Sequence, residues 1–203
     1  MSDDGESDGI DATNYRYVIK SDLKELMETQ CLKEIGSQAI WSVSSCKQGY
    51  GVNLLRDNNL ETYWQSDGIQ PHMVNVQFRQ KTSIHSIGVY TDYKADESYT
   101  PSRLSVLIGN DFNDLHEIEQ IEINEPTGWV WIKLHDHARG KSVRTFMAQI
   151  SVQQNHQNGR DTHMRQIKVF ASTKESASLD HVLSGTRLPC FTSVDCSQYS
   201  TIR

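Results

Sequence analysis

The feature that most constrains the fold is an apolar pattern that repeats every two residues. Four runs show it, at Val74–Phe78, Leu104–Ile108, Val130–Leu134 and Phe146–Val152. A β-strand points successive side chains to opposite faces, so each run predicts a strand with one buried face. Because polar loops separate many short runs, residues 36–171 are predicted to form an all-β domain, either a sandwich or a barrel.

A further run, Ile84–Tyr90, keeps this period only in part. Its apolar phase slips between Ile84 and Ile87. An extra residue in one strand shifts the phase by one position, so the slip predicts a β-bulge.

The chain has 203 residues, which fits one domain with extensions. Hydrophobic residues make up 36 % of it, a low share that leaves part of the chain without a core. A helix is predicted where Leu23, Leu26 and Met27 recur at helical spacing. The predicted order is an acidic disordered extension at 1–20, the helix at 21–35, the β-domain at 36–171 and a flexible Ser- and Thr-rich tail at 172–203.

The net charge of −6 is concentrated at the N-terminus. Residues 1–11 hold five acids and no Lys or Arg, so the rest carries 20 basic and 21 acidic residues and a net charge of −1. A nearly neutral body lacks the basic surface that nucleic-acid binding needs. No apolar run is long enough for a transmembrane helix, and no secretory signal is recognisable.

Cysteine usage indicates the compartment. The four cysteines are widely scattered, and no Asn-x-Ser/Thr sequon occurs. Both observations fit a reducing environment. We therefore expect a protein of the nucleus and cytoplasm. The nearly neutral charge and the lack of a long apolar run predict that it has neither nucleic-acid nor membrane partners.

The densest polar segment is Asn155–His163, between two predicted strands. Loops at the ends of a sandwich often carry binding groups, whereas Asn158-Gly159 alone would suit an ordinary hairpin turn. A second pair of histidines, His135 and His137, lies outside this segment. Neither the pair nor the segment has the spacing of metal ligands, and the sequence shows no nucleophile elbow or phosphate-binding loop. Binding is favoured over catalysis, and neither a metal nor a cofactor is expected.

Two other features have competing interpretations. Trp129 and Trp131 share one strand face and could form a stacking platform for a sugar or peptide, although packing against the sandwich or the helix is favoured. The chain ends in Ile202 and Arg203, where an apolar side chain, a guanidinium and a carboxylate could dock as a peptide ligand. The dipeptide alone favours an ordinary terminus.

Several long motifs are more specific. They are Glu34–Lys47 (EIGSQAIWSVSSCK), Leu55–Gly68 (LRDNNLETYWQSDG), Gln70–His72, Asp92–Ser102 and Asn155–Ile167 (NHQNGRDTHMRQI). Together they closely resemble the DOC-domain family over about residues 34–170. The resemblance resumes at the final Ile-Arg.

This resemblance implies a galactose-binding-like jelly-roll β-sandwich, with no catalysis and no cofactor. In this family the domain belongs to the anaphase-promoting complex, a multi-subunit ubiquitin ligase of the cell cycle. It acts beside a WD40 coactivator as co-receptor for the destruction box of substrates, and it raises the processivity of ubiquitin addition.

The resemblance also implies site residues. The substrate-facing residues carried over by motif are Ser98, Asn158, Asp161 and His163. The ending Ile202-Arg203 resembles the family's tail, which docks into a TPR subunit. Two rival interpretations remain: an intracellular carbohydrate- or peptide-binding module outside the ligase, and a metal-dependent enzyme at the loop containing His163.

Overall fold

A computed structural model of the chain describes residues 17–20, 23–134 and 142–173. Three predictions lie outside these residues. They are the disorder of the acidic extension predicted at 1–20, as far as residue 16, the arrangement of His135 and His137, and the flexible tail predicted at 172–203, beyond residue 173, with its docking residues Ile202 and Arg203.

The described residues form twelve strands and two short α-helices, together with four 3₁₀ turns. The elements are β1 (Tyr17–Lys20), α1 (Lys24–Gln30), β2 (Leu32–Glu34), β3 (Ala39–Val43), β4 (Trp64–Gln65), β5 (His72–Ile84), β6 (Ser86–Asp92), α2 (Tyr93–Asp96), β7 (Pro101–Gly109), β8 (His116–Glu122), β9 (Thr127–Lys133), β10 (Val143–Asn155), β11 (His163–Met164) and β12 (Gln166–Ser172). No helix within the described ranges is both long and apolar enough to cross a membrane.

Ten of the strands form two antiparallel sheets of five. One sheet has the order β1-β9-β6-β12-β2, the other has β3-β5-β10-β7-β8, and β11 pairs separately with β4. The alternating runs predicted from the sequence supply the common core: Val76, Val106, Val130 and Ile150 are each at most 1 % exposed. The predicted all-β jelly-roll sandwich is confirmed.

The phase slip in the run Ile84–Tyr90 has a different cause from the predicted bulge. The chain leaves β5 in one sheet at Ile84 and enters β6 in the other sheet at Ser86. Ile84 and Ile87 therefore reach the same core from opposite sheets, and both are fully buried. His85 turns this corner, where its N–H donates to the Phe170 carbonyl and its own carbonyl accepts from Leu134 N–H. A change of sheet therefore shifts the two-residue apolar pattern by one position, as a bulge would.

The N-terminal region differs from the prediction at both boundaries. The helix α1 is shorter than 21–35, because Cys31 adopts a left-handed conformation (φ 52°) that ends it. Leu32–Glu34 then forms β2 and pairs with β12. Upstream, Tyr17–Lys20 pairs with β9. These residues were predicted within a disordered extension, but β-branched Val18 and Ile19 suit a strand that extends the sheet.

The two tryptophans of β9 pack in a second apolar cluster. Trp129 and Trp131 are 7 % and 3 % exposed, and they lie with Leu23, Leu32 and Phe170 on the side of the sheet away from the main core. Packing against the sandwich or the helix, the favoured interpretation, is confirmed, since Phe170 lies on β12 and Met27 of α1 packs against the same cluster. The rings are therefore not open to a sugar or peptide.

The strand directions give the sandwich two functionally different ends. One end, called here the loop end, carries the connections at 65–72, 92–101, 122–127 and 155–166, and the other, the corner end, carries those at 84–86 and 109–116. The register places Asn155 opposite Pro101 at the loop end and Val143 opposite Ile84 at the corner end. The nine residues of β7 separate the two ends by roughly 27 Å.

Replacing Phe170 by Ala tests the second cluster. Phe170 is fully buried, and its ring centroid lies 4.9 Å from that of Trp131. Loss of a buried aromatic ring leaves a cavity, so the free energy of unfolding should fall by about 3–5 kcal/mol. Urea denaturation measures this change. Ile40→Ala is the control, because Ile40 is 56 % exposed; equal effects of the two substitutions would contradict the packing described.

Candidate functional site

The loop end brings together three segments, residues 92–100, 123–127 and 155–163, called here the loop platform. Its tightest contact joins Gly159 to Ser98. A Cβ atom at Gly159 would lie 1.8 Å from the Ser98 carbonyl oxygen, so only glycine fits. The left-handed residues of this turn are Gln157 and Asn158 (φ 51° and 56°), whereas Gly159 has a φ of −57°. Gly159 thus serves close packing between loops.

Asn155 fixes the path of the loop that follows it. Its side-chain Nδ2 donates to the carbonyl oxygens of Gly159 (3.1 Å) and Asp161 (2.8 Å). Its Oδ1 accepts from the Thr162 hydroxyl at 2.8 Å. Asn155 is 1 % exposed, so these bonds are shielded from water. They hold the backbone between Asn155 and Thr162 in one conformation.

His156 connects all three segments of the loop platform. Its Nδ1 lies 3.0 Å from the Thr100 carbonyl oxygen, and its Nε2 lies 3.1 Å from the Glu125 backbone nitrogen. These partners assign a neutral ring in which Nδ1–H donates and Nε2 accepts. His156 is therefore a connecting residue between loops.

A buried ionic cluster joins two segments of the loop platform to Arg165, the residue before β12. Arg165 donates from Nε to Asp96 Oδ2 at 3.0 Å and from Nη2 to Asp96 Oδ1 at 3.1 Å. His163 Nδ1 contacts the same Oδ1 at 3.1 Å. The three residues are 6–8 % exposed. This arrangement, the Asp96–Arg165–His163 cluster, joins the 92–100 loop to the start of β12.

His163 is enclosed by two tyrosines. Its ring centroid lies 4.1 Å from that of Tyr63 and 4.2 Å from that of Tyr99, with interplanar angles of 26° and 12°. His163 is 8 % exposed, and its Nε2 has no hydrogen-bond partner among the described residues. The family resemblance implies that His163 is a substrate-facing residue. The structure instead places the ring under the surface, where it supports the platform.

The other three predicted site residues lie nearer to solvent. Asn158 is exposed, whereas Ser98 and Asp161 are half-buried. Ser98 and Asn158 are neighbours because Gly159, the residue after Asn158, packs directly against the Ser98 carbonyl group. The structure therefore brings all four predicted residues to one end of the sandwich, with His163 below the other three.

Sequence reasoning missed the groups that hold this site together. Asp96 and Arg165 are 69 positions apart, and no local pattern relates them. The platform also borders a shallow groove that the sequence did not reveal, lined by Tyr93, Lys94, Glu97, Glu125, Thr127 and Gln157. Within residues 17–20, 23–134 and 142–173, no three His, Cys, Asp or Glu side chains are arranged to hold a metal ion.

The electrostatics of Asp96 follow from its partners. Burial by itself raises the pKa of this carboxyl group, but hydrogen bonds from His163 and Arg165, together with the positive charge of Arg165, outweigh it. The pKa of Asp96 is therefore lowered from its ordinary value. Asp96 is therefore ionised at neutral pH, where its two carboxylate oxygens accept from Arg165 and His163.

Comparisons of the chain with known proteins agree with one another. The family model described as "Anaphase-promoting complex, subunit 10 (APC10)" matches residues 16–200. The human protein named anaphase-promoting complex subunit 10 is 55 % identical over 183 residues, which cover 90 % of this chain and 95 % of that protein. The Dictyostelium discoideum protein of the same name is 45 % identical over 170 residues, covering 84 % and 86 %. The Saccharomyces cerevisiae subunit DOC1 is 30 % identical over 152 residues, covering 74 % and 61 %.

Solved structures share the architecture at low sequence identity. The family 32 carbohydrate-binding module of C. perfringens NanJ, in complex with galactose, has a TM-score of 0.58 at 13 % identity, covering 69 % of this chain and 99 % of that one. The CBM32-1 and CBM32-2 domains of C. perfringens ZmpB give a TM-score of 0.63 at 14 % identity, covering 81 % and 44 %. These likenesses show the fold, and the expected galactose-binding-like jelly roll is confirmed.

Replacing Asp96 by Ala tests the buried cluster. The change leaves the Arg165 guanidinium without its carboxylate partner, so the free energy of unfolding at neutral pH should fall by about 3–5 kcal/mol. The lowered pKa means that Asp96 stabilises the fold above its unfolded-state pKa of about 3.9 and loses this effect as pH falls through the folded-state pKa.

Urea denaturation at pH 7 and pH 3 measures both effects of Asp96→Ala. The difference between wild type and variant should be smaller at pH 3. Asp67→Asn is the control, because Asp67 is exposed. A difference that stays constant between the two pH values would contradict the charge-based explanation.

Proposed function

Because the chain belongs to the family of anaphase-promoting complex subunit 10, we propose that it is a non-catalytic subunit of that ubiquitin ligase. Its loop platform binds the destruction box of a substrate together with a WD40 coactivator. The observation that carries this proposal is the rigid platform with polar side chains near solvent at one end of the sandwich. The proposal places the protein in the nucleus and cytoplasm, since the four cysteines are widely scattered and no Asn-x-Ser/Thr sequon occurs, which fits a reducing compartment.

The platform suits an extended peptide. Asn158 offers both donors and an acceptor, Ser98 offers a hydroxyl, and Asp161 offers a carboxylate. An extended peptide presents unpaired backbone N–H and C=O groups, which need such partners. The backbone under these side chains is already held by Asn155 and His156, so little conformational entropy is lost on binding.

The strength of these contacts suits a shared receptor. A neutral hydrogen bond contributes about 0.5–1.5 kcal/mol net, so the loop platform alone should bind a degron weakly. A degron held at the same time by a coactivator dissociates slowly, because release from one surface leaves it tethered to the other. The gain in affinity from this second contact appears mainly as a slower off-rate of the substrate. The off-rate determines how many ubiquitins are added per encounter.

A carbohydrate- or peptide-binding module outside the ligase is the alternative. The structural neighbours include a module in complex with galactose, but at 13 % identity this likeness supports the fold alone. The aromatic pair that suggested a sugar platform, Trp129 and Trp131, is buried. Calorimetric titration with galactose distinguishes the alternatives, and we expect no heat of binding.

We also propose that the C-terminal Ile202-Arg203 docks into a TPR subunit. An isoleucine fits an apolar pocket, and the guanidinium and the terminal carboxylate each pair with an opposite charge. Among the described residues the last strand is β12, which runs from the loop end and finishes at Ser172 at the corner end.

Replacing Ser98 and Asn158 together by Ala tests the peptide site. Each substitution removes one hydrogen-bonding group, so the substrate off-rate should rise about 2- to 10-fold per residue. Single-encounter ubiquitylation with the reconstituted complex should give shorter chains. Gln80→Ala is the matched control, since it removes an exposed amide from β5 away from the platform. Unchanged chain lengths in the double variant, with folding intact, would refute the assignment of this site.

Deleting residues 202 and 203 tests the docking tail. Because Phe170 is the last fully buried side chain of the described residues and chain ends seldom contribute to a core, the midpoint of thermal unfolding should stay within about 1 °C of wild type while binding to the TPR subunit is lost. Affinity capture from cell extract, followed by detection of ligase subunits, compares the full chain with the deletion. Equal recovery of these subunits would show that Ile202 and Arg203 are dispensable for docking.

A further inference from the structure

The β7–β8 hairpin presents an exposed aromatic residue at its tip. Phe112 is 56 % exposed and lies in the turn between Gly109 and His116. This turn belongs to the corner end, roughly 27 Å along β7 from the loop platform. Single exposed apolar residues are common on protein surfaces. The surroundings of Phe112 are what make it unusual.

The turn around Phe112 is held rigid by its own side chains. Asp114 Oδ1 accepts hydrogen bonds from the backbone N–H groups of Asn110 (2.7 Å) and Asp111 (2.9 Å). Asp111 Oδ1 accepts from Asn113 N–H at 2.6 Å. A Cβ atom at Gly109 would lie 2.5 Å from Asp114 Oδ1, so glycine is needed for this approach. Phe112 is thus presented on a pre-ordered loop, which reduces the entropy lost when it is bound.

The turn and the first half of β8 carry negative charge. Residues 110–119 contain four acids, Asp111, Asp114, Glu117 and Glu119, and no Lys or Arg. Glu122, at the far end of β8, pairs with Arg103 of β7 at 2.7 Å. The strand β8 is the edge of its sheet, and within the described residues it pairs only with β7. An exposed aromatic ring beside an acidic edge matches an apolar pocket bordered by basic residues.

We propose that Phe112 docks into an apolar pocket with a basic rim on another subunit of the ligase. This inference rests on the proposed function, in which the chain is part of that complex. A second copy of this chain fits poorly, because a symmetric contact would bring two acidic hairpins together. Attachment through the corner end leaves the loop platform at the opposite end open to substrate and coactivator.

Replacing Phe112 by Ala tests the docking surface. The test titrates the chain lacking residues 202 and 203, so that the tail does not mask the effect, against the anaphase-promoting complex purified without this subunit. The full chain is titrated beside it as the reference for binding. The Kd should rise about 10- to 30-fold, as expected for an aromatic anchor. Glu117→Lys should raise the Kd about 3- to 10-fold, and the Kd should increase with salt concentration.

Ile40→Ala is the matched control. Ile40 has the same 56 % exposure as Phe112 but lies on β3, at the other edge of the same sheet. Its substitution should change the Kd less than twofold. Unfolding curves that match wild type show that the variants are folded, since both residues are exposed.

Three outcomes overturn the inference. If Phe112→Ala and Ile40→Ala bind equally well, the docking role of Phe112 is wrong while the proposed function stands. If the full chain itself fails to bind the complex, the proposed function is at fault and the inference falls with it. If sedimentation of the chain alone shows a dimer that Phe112→Ala abolishes, the occupant is a second copy.

Discussion

The buried ion pair between Asp96 and Arg165 is the interaction on which the loop end depends. It joins a loop that follows β6 to the start of β12, and it places His163 between Tyr63 and Tyr99. Two charges removed from water are stable only when each finds its partner, so the loop conformations that satisfy Asp96 are strongly restricted. A rigid platform at the loop end is the result, and the surface that carries Ser98 and Asn158 rests on it.

The jelly-roll topology separates the two proposed contact surfaces in space. Every long strand runs between the loop end and the corner end, so side chains at the two ends cannot contact the same part of a partner. The loop end carries the polar platform, whereas the corner end carries Phe112 and the end of β12 at Ser172. A subunit that must be held in a complex while it binds a substrate needs this separation, because attachment then leaves the substrate side free.

Much of the fold and part of the site were predictable from local sequence. The alternating runs identified the core strands because burial on one face selects apolar residues at every second position. The segment Asn155–His163 was recognised as a candidate binding loop because its polar residues exceed what a turn requires. Sequence reasoning failed where one pattern has two causes: the slip between Ile84 and Ile87 is a change of sheet, and it looks the same as a bulge.

By itself, the sequence determined the family, the all-β class and the polar composition of the loop end, because these follow from motifs and from periodic burial. Only the tertiary structure decided what each polar residue does. His163 and Asn158 belong to the same polar loop, yet one is buried between two tyrosines and the other is exposed. The difference arises from Tyr63, Asp96 and Tyr99, which are distant along the chain and adjacent only after folding. Long-range packing determines these roles, so they cannot be predicted from a local pattern of residues.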